Sequence, residues 1–229
     1  MISIAENALT IAENVSKIYE AGKQAEYDRF WDEYQQNGNR TDYTNGFGSC
    51  WTTETFKPKY DMRPTTAYMM FRYIRLERTD LVEYLDTLGI TLNFSNCTNM
   101  QYTFSGASIS RLGVIDIRAA KGTTSGLFNY SPYIQTIDLL KVAETNTDLK
   151  IFDSCSNLKN ITIEGVIASN IAFAQSSVLT HDSLMSIINA LKDYSGTTTT
   201  RTLALHANSK TLLTDAEKAI ATEKGWTIV

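Results

Sequence analysis

Phe104, Phe128 and Phe152 stand at equal intervals of 24 residues, and each is followed by the same small apolar pattern. After Phe128 comes Ile134-x-x-Ile137-x-Leu139, and after Phe152 comes Leu158-x-x-Ile161-x-Ile163. After Phe104 comes Ile109-x-x-Leu112-x-Val114, one residue early. A self-similar period in the twenties restricts the fold more than any single residue does, because one such unit cannot bury its own apolar side and has to stack on a neighbour. The alternating apolar and polar residues suit a short strand with one face buried. The expectation is an α/β fold: a short solenoid over residues 90–173, one strand per coil in a parallel sheet, with the phenylalanines stacked in the return path. Leu112, Ile137 and Ile161 then occupy equivalent strand positions.

The units TFSGASISRLGVIDI, LFNYSPYIQTIDLL and IFDSCSNLKNITI resemble leucine-rich repeats of the BspA-like type. The resemblance covers about a third of the chain. It departs from the family in its low leucine content and in lacking a strict cysteine or asparagine position. It implies a leucine-rich-repeat-like solenoid.

Upstream, residues 1–36 read as one long helix. Ile4, Ala8, Ile11, Val15, Ile18, Gly22 and Ala25 step by four and three, the spacing of a coiled-coil seam. Isoleucine at the d positions favours a trimer or a higher oligomer. Self-association through Ile4, Ile11, Val15 and Ile18 is one reading; a helix packed on the open first coil is the other. Tyr27, Phe30, Trp31 and Tyr34 continue the helical spacing as an aromatic stripe destined for the core.

Residues 37–89 form an aromatic loop and helical N-terminal cap: glycines and prolines break any period, while Tyr43, Phe47, Trp51, Phe56 and Tyr60 suggest a packed loop. Pro64 is placed in the first turn of a helix running to Ile74. Thr79 reads as the N-cap of a helix ending at Gly89. Ile90-x-Leu92-x-Phe94 reads as the first strand.

Residues 174–229 form an α/β C-terminal cap. Asp182–Tyr194 carries a helical apolar face, Arg201–His206 alternates as a strand, Thr214-x-x-Glu217 is a capping box, and Trp226–Val229 is a last strand.

With a net charge of −4, no basic field is present for nucleic acid or anionic lipid, and no apolar run reaches membrane-spanning length. The first 15 residues hold Glu6 and Glu13, no Lys or Arg, and no continuous apolar stretch, so no secretion signal is expected. Cys50, Cys97 and Cys155 are too few and too far apart for a disulfide framework or a zinc site, and free, mostly buried thiols are expected. The two histidines, His181 and His206, belong to different elements, and no catalytic, nucleotide or metal motif occurs. No cofactor and no enzymatic activity is expected, although a glycan-active carboxylate pair has no sequence signature.

The stretches IAENVSKIYEAGKQAEYDRFWDEYQQNGNRTDY, ETFKPKYDMRPTTAYMMF, LGITLNFSNCTNM and LTDAEKAIATEKGWTIV resemble uncharacterised proteins encoded by phages and prophages of gut Firmicutes, usually assigned to tail, baseplate or fibre regions. The resemblance implies a virion component, tail-associated, assembled in the host cytoplasm and meeting a protein or cell-surface partner. The alternative is an intracellular leucine-rich-repeat scaffold in the cytoplasm. In either case the outward strand residues make the expected binding strip: Arg111 and Gly113, Thr136 and Asp138, Asn160, Thr162 and Glu164, then Thr202, Ala204 and His206.

Overall fold

A computed structural model of the chain describes residues 14–15, 24–47, 56–77, 79–147 and 149–229. Its fold is mixed α/β with two parallel sheets. The first has the order β1 (Thr79–Asp80), β2 (Ile109–Asp116), β3 (Thr136–Val142), β4 (Asn160–Gly165). The second is β5 (Ile171–Phe173), β6 (Arg201–Leu205), β7 (Trp226–Ile228). Every strand pairing in both sheets is parallel. Five α-helices are described: α1 (Gln24–Tyr34), α2 (Leu81–Leu88), α3 (His181–Ala190), α4 (Ala207–Thr211) and α5 (Asp215–Glu223).

The expected strand equivalence is found. Leu112 pairs with Ile137, and Ile137 with Ile161, all three buried. Among the three repeat strands, simple alternation holds only in β4. In β2 and β3 the buried residues are three apart, Leu112 and Ile115 in one, Ile137 and Leu140 in the other. Val114, expected inside, is 49% exposed. Between Ile137 and Leu140 β3 carries one extra residue against β4, so Leu140 rather than Leu139 faces Ile163; β2 pairs with β3 without a shift, Val114 opposite Leu139, and shares that spacing. Such a bulge re-aims every side chain beyond it.

Behind the strands lies a column of six buried phenylalanines: Phe47, Phe71, Phe104, Phe128, Phe152 and Phe173. Successive ring centroids are 5.1, 5.2, 5.9, 5.3 and 4.5 Å apart. Backbone bonds run up the same column, with Phe71 N donating to Thr103 O, Phe104 N to Leu127 O and Phe128 N to Ile151 O. On either side of Phe71, Phe104 and Phe128 the chain turns sharply. Met69 and Tyr73 flank Phe71, Tyr102 and Gly106 flank Phe104, and Gly126 and Tyr130 flank Phe128, all with φ between 56° and 69°. Met69, Tyr73, Tyr102, Gly106 and Gly126 are third positions of hydrogen-bonded β-turns of the kind that requires a left-handed residue there. The expected helix from Pro64 to Ile74 is therefore absent: that stretch is turns, and Phe71 belongs to the column.

Other boundaries moved as well. Asp80, not Thr79, caps α2, its Oδ1 accepting from Val82 N and Glu83 N, while Thr79 and Asp80 form β1. Gly89 stops α2 at φ 65°, as expected. The Ile90-x-Leu92-x-Phe94 strand is reduced to a single bridge between Met62 and Leu92. α3 ends at Ala190, four residues early, and the chain then becomes extended at Leu191. The Thr214–Glu217 capping box, β6 and β7 form as expected, while α4 and β5 were not foreseen.

Of the expected helix over 1–36, α1 and residues 14–15 are helical, Gln35 is a turn residue and Gln36 opens a short 3-10 helix; the rest, with Ile4, Ile11 and Ile18, lies outside the described residues. Trp31 and Tyr34 of α1 are buried, and both stack near Phe47 at the start of the column. Val15 is buried in this chain's own core.

Candidate functional site

The expected binding strip divides into three parts. Its first part is a charge-paired row. Arg111, Thr136 and Asn160 are register partners across β2, β3 and β4. Arg111 donates through Nε and a terminal nitrogen to both oxygens of Asp138, each at 2.8 Å, and through its other terminal nitrogen to Asp80 at 3.1 Å. Bonds to Asp138 and Asp80 push the Arg111 pKa above its already high ordinary value, so its charge is permanent. Asn160 reaches Thr136 Oγ1 at 3.4 Å.

A second row lies further along the strands. Lys141 faces Asp116 on one side and Glu164 on the other. Arg118 holds Asp116 at 2.9 and 2.7 Å, and Lys141 approaches Glu164 at 3.4 Å. Burial works to raise the Asp116 carboxyl, but the bonds from Arg118 outweigh it and hold the group below the ordinary carboxylate range. Fixed charges on this face are thus largely paired with one another. Asn160 and Thr162 are exposed and uncharged. Gly113 lies under α2, a Cβ there meeting Val82 at 3.0 Å, beside an apolar hollow of about 200 Å³ between α2 and β2.

The third part is not on this sheet. Thr202 and Ala204 sit in β6 of the second sheet, and His206 follows β6 as the N-cap of α4, its Nδ1 accepting from Asn208 N. The strip ends at β4 for a physical reason. α3 lies against that strand and covers its open edge: Ser183 Oγ accepts from Ile161 N at 2.9 Å, and Ser186 Oγ from Ile163 N at 2.8 Å. The two serines, three apart on one helical face, replace the carbonyls of a further strand and close the sheet to pairing.

Groups able to do chemistry are scattered. His181 Nε2 meets Glu217 Oε1 at 2.8 Å, tying α3 to α5, while Glu217 Oε2 accepts from Thr214 N. The Thr214 backbone bond, then its hydroxyl, then His181 hold the Glu217 carboxyl low. Cys97 and Cys155 are buried free thiols, and burial pushes them up to about 11 and about 12, so neither is a thiolate at neutral pH. Cys50 lies outside the described residues. Among the described residues no group of three His, Cys, Asp or Glu side chains is placed to hold a metal ion, and no helix is long and apolar enough to cross a membrane.

Sequence reasoning missed the turn face. Tyr73 and Tyr130 are 43% and 59% exposed. Tyr73 N donates to Ser105 O, Gly106 N to Asn129 O and Tyr130 N to Asp153 O, so Tyr73, Gly106 and Tyr130 follow one another along a single line of turns. A Cβ at Gly106 would run into the Tyr73 ring, which packs against that glycine. The Arg72 guanidinium sits 4.7 Å from the Tyr73 ring and 5.7 Å from that of Tyr102. The repeated tyrosine positions were visible in the sequence, but nothing there marked tyrosine as the residue to occupy a left-handed turn.

Comparison of the chain with family profiles, with curated proteins and with solved structures returned no match.

Proposed function

We propose that this chain is a non-enzymatic binding scaffold: a short leucine-rich-repeat-like solenoid that forms part of a phage or prophage virion, associated with the tail, and meets a host-surface or structural partner. The observation that carries the scaffold reading is the phenylalanine column, six rings deep, with one turn of chain stacked on the next and strands in parallel register beside it. A fold stabilised by neighbour-on-neighbour stacking leaves long continuous surfaces free for partners. The virion setting rests on the resemblance of the quoted stretches to phage and prophage proteins. In this reading Arg111, Thr136, Asp138, Asn160, Thr162 and Glu164 face a protein partner, with Asn160 and Thr162 at its accessible centre. For the N-terminal segment, the burial of Val15 in the chain's own core favours a helix that caps the stack over a seam between copies.

The test is fractionation of the producing strain after prophage induction, with mass spectrometry of gradient-purified particles. The chain is expected in the particle fraction together with tail proteins. Particles that lack it, with the chain recovered from the soluble lysate, would replace this reading with that of an intracellular scaffold.

A further inference from the structure

We propose that the turn face is a second binding surface, specific for an extended, uncharged polysaccharide. The reading rests on the geometry of that face alone and stands apart from the virion setting. Tyr73 and Tyr130 lie on one line of turns with a glycine between them. Two steps of stacked backbone separate them, about 9–10 Å at the usual spacing between paired strands. The Tyr73 ring is bordered by Gly106 and by the Arg72 guanidinium, so Tyr130, at 59% exposure, is the ring most open to water on that line, and an exposed ring suits the C–H face of a sugar, which stacks on it without losing hydroxyl hydration.

The second observation is a hollow of about 360 Å³ lined in part by Asn129, Asp153 and Gln175; Tyr130 does not line it but follows Asn129 and donates its backbone N–H to Asp153 O. These three are already linked. Asn129 Oδ1 accepts from Asp153 N at 3.0 Å, and Asp153 Oδ1 accepts from Gln175 Nε2 at 2.9 Å. The links fix the planar groups and leave the Asn129 amide N–H groups and the second Asp153 oxygen as donors and acceptors for hydroxyls. An aromatic ring next to a preorganised row of amide and carboxylate groups is the chemistry that recognises a sugar residue by stacking on one face and hydrogen bonding at its edge. Other occupants fit less well. Nucleic acid needs a run of cations, and this hollow is flanked by Lys150 and the carboxylate of Asp153 in a chain of net charge −4. A protein hot spot needs a contiguous desolvated apolar centre, whereas here the rings are separated by Gly106 and bordered by polar side chains.

The experiment titrates the full chain by calorimetry with three uncharged probes: cellohexaose, chitohexaose and mannohexaose. At least one is expected to bind saturably. Tyr130→Ala and Asn129→Ala should each weaken that binding about tenfold or more, a loss on the order of one ring or hydrogen-bond pair. Tyr130→Phe, which keeps the ring, should preserve it. Thr162→Arg on the strand face should leave it unchanged, and melting temperatures should confirm that all variants are folded. Absence of binding to all three probes, or equal binding by folded Tyr130→Ala, would overturn the proposal. Presence of the chain in purified particles, or its absence, would leave this result untouched, so the two proposals fail separately.

Discussion

Arg111 grips Asp138 with two parallel N–H···O bonds of 2.8 Å and reaches Asp80 with a third. This forked geometry is the strongest form of an exposed ion pair, and it makes Asp138 part of the sheet's own structure. Asp138 and Thr162 both belong to the outward strip expected from the sequence. The structure separates them. Asp138→Arg sets two guanidinium groups against each other and should lower stability by about 1 kcal/mol. Thr162→Arg, at an exposed position, should stay within about 0.5 kcal/mol of the parent. Urea denaturation of the two variants checks this, and equal midpoints would show that the Arg111 pair contributes nothing.

Ser183 closes the edge of β4 by accepting from Ile161 N, and it is buried. Ser183→Ala leaves a backbone N–H without a partner, at a cost of about 1–3 kcal/mol. Amide exchange at Ile161 should accelerate by more than at Ile137 in the middle of the sheet. Unchanged protection at Ile161 would mean that the edge is held by packing alone.

Gly165 and Gly196 both have positive φ, 110° and 73°. A Cβ at Gly165 would strike the backbone carbonyl of Val142, its register partner, whereas at Gly196 nothing lies within 4 Å. Gly196→Ala should cost only the left-handed penalty of about 1–2 kcal/mol. Gly165→Ala should cost more, because the obstacle is backbone that cannot rotate away. Thermal melts that rank the two in the opposite order would contradict the close approach of β3 and β4 at this point.

Asp116 predicts an acid-side change. Its folded pKa is depressed, since the Arg118 bonds outweigh burial. A depressed carboxylate contributes stability above its unfolded pKa of about 3.9 and loses that contribution as pH falls through the folded value. Asp116→Asn should be less stable than the parent at pH 7 by about 1 kcal/mol, with the exposed half of Arg118 keeping the figure small. Below about pH 4 the difference should shrink. A gap that stays constant from pH 7 to pH 2, measured by urea midpoints, would show that the Asp116 charge plays no part.

Much of this fold was legible from spacing. Phe104, Phe128 and Phe152 lie in one column, and Leu112, Ile137 and Ile161 lie in register, because a fixed interval in sequence becomes a fixed step in a stack. Phe47 and Phe71 are also 24 residues apart, but the interval from Phe71 to Phe104 is interrupted by α2, which hides the continuity. Val114 differs from expectation because β2 runs in step with β3, whose one-residue bulge against β4 reverses facing, and a bulge leaves no mark in an apolar-polar pattern. His206 was placed on the strip because β6 alternates like the other strands. A helix ahead of β6 is expected from the sequence, but nothing there says that its serines close the β4 edge or that β6 pairs with β5 and β7 in a second sheet. The turn face was illegible for another reason. Tyr73 and Tyr130 are presented by left-handed turns, and those turns are imposed by the stack rather than by local preference.

The account stands on neighbour-to-neighbour stacking, and a pair of double-mutant cycles measures it most directly. Phe104→Leu and Phe128→Leu remove rings 5.9 Å apart. Phe104→Leu and Phe152→Leu remove rings separated by Phe128. A stack whose units touch only their neighbours predicts a coupling of about 0.5–1.5 kcal/mol for the first pair. It predicts additivity within about 0.3–0.5 kcal/mol for the second. Equal coupling in both cycles, or none in the first, would contradict it.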